Sequence, residues 1–86
     1  MIVTGVQNSE RLVVAVEAQG VRVTEVAGSY ASMGLQPGDL LISMQGKALT
    51  SSEELHGYYG LLALQREKQI FYVVFDGRTW EPRTKN

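Results

Sequence analysis

Gly34-Leu35-Gln36-Pro37-Gly38-Asp39, followed directly by Leu40-Leu41-Ile42-Ser43-Met44-Gln45-Gly46-Lys47, is the stretch from which the fold is read. Gly34 suits the positive φ that ends a short helix, and Pro37-Gly38 suits a type II turn, since proline fixes φ and glycine accepts its positive value. Leu35 is set to enter the core, and the Asp39 carboxylate is placed to accept from backbone amides of the turn. Leu40 to Met44 is an apolar run of strand length, closed by a second turn at Gln45-Gly46. The stretch reads as helix end, tight turn, strand, and carries no catalytic chemistry.

Upstream, Ile2 to Val6 reads as a short strand and Gln7 to Glu10 as a polar loop. Leu12 to Ala18 and Val21 to Val26 then form a hairpin around Gln19-Gly20, the second strand alternating apolar and polar side chains. Ser29 is placed to cap a one-turn helix reaching Met33. Downstream, Lys47-Ala48-Leu49 makes a minimal edge strand. Thr50 with Glu53, or Ser51 with Glu54, has the spacing of a capping box. Leu55, Tyr59 and Leu62 recur at i, i+4 and i+7, with Tyr58 and Leu61 widening the apolar face, which predicts a helix from about Ser52 to Gln65. Gly57 and Gly60 weaken that helix by about 1 kcal/mol each. Gln69 to Phe75 is an apolar strand, Asp76-Gly77 a hairpin turn, and Arg78 to Glu81 a last strand stopped by Pro82, with a frayed tail at 83–86. The expected class is α+β: five or six short strands capped by one long and one very short helix.

Eighty-six residues form one domain, expected over 1–82, and the chain is read as a segment of a larger protein. Without cysteine there is no disulfide framework, thiolate nucleophile or thiolate metal ligand. Eight basic and nine acidic side chains are dispersed along the chain, unlike the clustered Lys and Arg of a nucleic-acid surface. The apolar runs fall short of the roughly 20 residues that span a bilayer. Ser29 or Ser32 with His56 and Asp39 lacks a nucleophile elbow, so no independent catalysis, cofactor or metal is expected.

The succession of hairpin, one-turn helix, Gly34 to Asp39, strand, Gln45-Gly46-Lys47 turn, Ser52-Glu53-Glu54-Leu55 helix start and Asp76-Gly77 resembles a PDZ domain of the bacterial type. The resemblance implies a small β-sandwich with two helices that binds an extended or C-terminal peptide as an added strand. It implies a groove between the strand at about 12–18 and the helix at about 52–64, lined by Leu12, Val13, Val14, Ala15, Val16, Leu55, His56, Tyr59 and Leu62. Two registers for the carboxylate loop stay open. Leu12 to Val14 fits the hydrophobic pattern but has Val13 where the family commonly has glycine. Thr4-Gly5-Val6 restores the glycine but makes Gln7 to Glu10 a polar groove strand. Resemblance to envelope-protease and signalling modules implies a protease accessory domain in the periplasm or cell envelope. Resemblance to the connector of type II secretion systems implies an assembly domain, with self-association in place of carboxylate capture.

Overall fold

The computed structural model describes residues 2–7, 10–81 and 83–85, with side chains described over 10–81. In the Gly34 to Asp39 run, Gly34 and Gly38 take φ of 102° and 94°. The Asp39 amide donates to the Gln36 carbonyl at 3.1 Å, closing the type II turn, and the Asp39 carboxylate accepts from the Gln36 amide at 2.8 Å. The helix before this turn, α1 (Ser29–Ser32), is a single turn whose N-cap is Gly28, with Ser29 already helical. The strand after it is Leu40–Met44.

Strands β1 (Ile2–Gln7), β2 (Glu10–Glu17), β3 (Gly20–Ala27) and β4 (Leu40–Met44) form an antiparallel meander. The two-residue strand β5 (Lys47–Ala48) folds back on β4. Strands β6 (Tyr59–Arg66) and β7 (Gln69–Asp76) then extend the sheet on the other edge of β4, and β8 (Arg83–Lys85) adds to β1. The resulting order is β7-β6-β4-β3-β2-β1-β8, every pairing antiparallel. The inner face of this sheet surrounds Leu12, Val14, Val21, Val23, Leu41, Leu62, Leu64 and Phe75, with Tyr30, Leu35, Leu49, Leu55 and Trp80 from the connections completing the core.

The fold is all-β, and the expected α+β sandwich with a long helix does not form. The capping box does: the Glu54 carboxylate accepts from the amides of Thr50 and Ser51 at 2.9 and 3.0 Å. Yet it starts only a 3-10 turn over Ser52–Leu55. His56 is already extended, and Gly57 takes φ of 80°, a value no helix continues through. From Tyr59 the chain is a strand because Leu62 and Leu64 bury at a period of two while Leu61 and Gln65 face out, and because eight residues gain a ladder with β7.

Three smaller expectations change with it. Asp76-Gly77 does not close a hairpin, since the Gly77 amide donates to the Tyr58 carbonyl at 2.7 Å and its carbonyl accepts from Gly57 at 2.9 Å. Residues 78–81 are accordingly not a strand. Arg83–Lys85, read as a frayed tail, is β8, while the strand stop at Pro82, the end of the tail at Asn86 and the loop positions Asn8 and Ser9 lie outside the described residues.

Candidate functional site

Strand β2 carries five of the residues assigned to a peptide groove, and both of its edges are occupied. One pairs with β1 from Gln7↔Glu10 to Ile2↔Ala15, the other with β3 from Arg11↔Ala27 to Glu17↔Gly20. An added strand has no free main-chain groups to meet there. Leu12, Val13 and Val14 are buried, Ala15 and Val16 half-buried. The structure does bring Leu12, Val14, Leu55 and Leu62 together, but inside the core and not along a groove. The second register fares alike, because Thr4, Gly5 and Val6 are strand residues opposite Val13, Leu12 and Arg11. With the helix over 52–64 absent, the groove has neither a free strand nor a second wall.

His56 is exposed but committed to the fold: its Nδ1–H donates to the Trp80 carbonyl at 2.6 Å. Trp80 itself is buried and donates from Nε1 to the Leu12 carbonyl at 3.2 Å, so His56 and Trp80 tie the segment after β7 to β2. Ser32 donates to the Gly28 carbonyl, and the Asp39 carboxylate accepts from Arg66. Among the described residues, no three His, Asp or Glu side chains gather as metal ligands, and no helix is long and apolar enough to cross a membrane.

Tyr59 lies elsewhere, on a surface that periodicity assigned to a helix. In the β6–β7 ladder, Tyr59↔Asp76, Leu61↔Val74, Ala63↔Tyr72 and Gln65↔Ile70 share the face opposite the core. Tyr59, Leu61, Ile70, Tyr72 and Val74 are exposed there, Tyr72 to 68%. Leu61, Ala63 and Tyr72 also line a shallow hollow bounded by Ser43 and the Gln45-Gly46 turn. An apolar surface repeated along two adjacent strands marks an interaction face more often than isolated exposed leucines do.

The outer edge of this surface is β7, which ends the sheet; among the described residues no strand pairs with it on that side. Gln69-Ile70-Phe71-Tyr72-Val73-Val74-Phe75 contains no charged residue and no proline. Charge is confined to the two ends. At one, Glu67 and Lys68 form the β6–β7 turn with φ of 50° and 71°. At the other, Asp76 accepts from the Arg78 guanidinium at 2.9 and 3.0 Å, which holds its carboxyl below the usual aspartate range, chiefly through those hydrogen bonds. Arg78 also stacks 4.4 Å over the Tyr59 ring, and Arg66 sits 5.2 Å over Phe71. No family model, curated protein or solved structure matches the chain.

Proposed function

We propose that this domain is a protein-interaction module that takes an extended polypeptide as an added strand along the free edge of β7. The observation that carries the reading is the strand-free edge of β7, uncharged from Gln69 to Phe75 and bordered by exposed apolar side chains, with the Asp76 amide at its end donating to the Met33 sulfur at 3.5 Å. Folded proteins ordinarily blunt such edges with lysine, proline or a bulge, because unpaired N–H and C=O groups recruit any extended chain. The chemistry is main-chain pairing supplemented by alternate side chains. An incoming strand places every second side chain beside Ile70, Tyr72 and Val74 on the outer face, which selects β-branched and aromatic residues. Main-chain pairing needs no terminal carboxylate, so free-acid and amidated peptides bind equally.

The test is an amide NMR titration with an octapeptide of alternating valine and threonine, as free acid and as amide. Both forms should shift the amides of Gln69 to Asp76, and the double variant Tyr72→Lys, Val74→Lys should abolish the shifts while unfolding in urea like the parent. Shifts confined to β2, or no shifts with either peptide, contradict the reading.

A further inference from the structure

We infer that the strand added to β7 is the β7 of a second copy of this chain, joined across a two-fold axis that passes between the two Tyr72 residues. The inference rests on the edge reading above. Identical strands related by a two-fold axis normal to the sheet run antiparallel and keep each side chain on its own face. Every residue must therefore oppose one of the same face, which leaves registers centred on Phe71, Tyr72 or Val73 near the middle of the strand.

Charge chooses among them. Centring on Val73 sets Asp76 against Ile70 and carries Lys68 past the end of the partner strand toward the turn that holds Arg78, so no opposite charges meet. Centring on Phe71 sets Lys68 against Val74 and Asp76 against Arg66, whose guanidinium already donates to the Asp39 carboxylate at 2.8 Å and to the Gly34 carbonyl at 2.8 Å. Centring on Tyr72 sets Ile70 against Val74 and brings Lys68, in the turn just before β7, opposite Asp76 at both ends; the Asp76 carboxylate accepts from Arg78 at 2.9 and 3.0 Å and keeps a lone pair for a second donor. Opposite charges directly across strands are favourable and like charges are not. The same register brings the Ile70, Tyr72 and Val74 side chains of the two copies together on the outer face, where each copy leaves them exposed. The uncharged centre and the complementary ends of β7 fit each other in one register, as a self-complementary interface requires.

The test is sedimentation equilibrium of the wild-type chain, of Lys68→Glu, of Asp76→Lys, and of an equimolar mixture of the two variants, each checked for folding by circular dichroism. Wild type should dimerise. Each variant alone, with two repulsive pairs in place of two attractive ones, should dimerise about tenfold or more weakly. The mixture should recover the dimer, because the glutamate introduced in one variant then faces the lysine introduced in the other, while the native Asp76 of the first faces the native Lys68 of the second. Wild type that stays monomeric at millimolar concentration overturns the second-copy inference, and so does a dimer that neither variant weakens. The edge reading is judged separately by the octapeptide: monomeric protein whose β7 amides shift with it retains the edge and loses only the second copy.

Discussion

Arg66 donates two hydrogen bonds to Asp39, from Nε at 2.8 Å and from Nη2 at 2.8 Å, and that carboxylate is 1% exposed. The pair joins the turn before β4 to the end of β6, and its second function is to hold the Arg66 guanidinium over Phe71 beside the edge strand. Removing one partner of such a pair leaves a buried charge uncompensated, so Arg66→Ala should cost about 3 kcal/mol, read from urea denaturation. Asp39 as a ligand of its own turn was legible from Pro37-Gly38-Asp39. Arg66, 27 residues away, was not, because the reading placed it just beyond a helix. Acid sensitivity belongs to this scale too. The amides and hydroxyls of Thr50 and Ser51 hold the Glu54 carboxyl below its ordinary value, as Arg22 does for Glu17. A folded-state value below the unfolded one stabilises above the unfolded value, about pH 4.3, and that contribution disappears as pH falls through the folded one. Glu54→Gln should therefore be less stable than wild type near neutrality, and the gap should close as urea midpoints are taken at progressively lower pH.

The β6–β7 hairpin is the element on which the reading of the sequence turned. Two patterns overlap in residues 55–66: Leu55, Tyr59 and Leu62 at helical spacing, and Leu62 with Leu64 at strand spacing. A capping box at Ser51 and Glu54 favoured the first, and it does start a turn, but a cap governs only the residues it touches. What decides for the strand lies further on. Gln69 to Phe75 needs a partner, and a two-residue connection supplies one. That connection was illegible because its left-handed positions hold Glu67 and Lys68, where Asn-Gly or Asp-Gly would announce a hairpin. By contrast Gln45-Gly46, with φ of 52° and 79°, was read correctly as a turn from its glycine. Left-handed backbone costs an L-residue about 1–2 kcal/mol relative to glycine. Lys68→Gly should accordingly stabilise the monomer by about 1 kcal/mol in urea denaturation of protein too dilute to pair, after the greater flexibility of glycine in the unfolded chain is counted.

Across the whole molecule, the strands up to β5 followed from local pattern to within two residues at their ends, with Gln7 and Glu10, expected in a loop, paired as the last residue of β1 and the first of β2, while the sheet order did not. Nothing local says that β1 closes one edge of β2, or that β7 is left at the end of the sheet. The candidate site changed for that reason: Leu12 to Val16 has the composition of a groove strand, but pairing on both sides takes it out of play, and the free edge passes to β7. Amide hydrogen exchange along β7, measured in dilute protein and again with the octapeptide or concentrated protein, tests this account most directly. A strand paired on one side turns alternate amides to water, so exchange over Gln69 to Phe75 should alternate fast and slow when dilute, the Asp76 amide being bonded to the Met33 sulfur, and the fast set should become protected on strand addition. Uniform protection of β7 in dilute monomer, or fast exchange that no added strand slows, would contradict it.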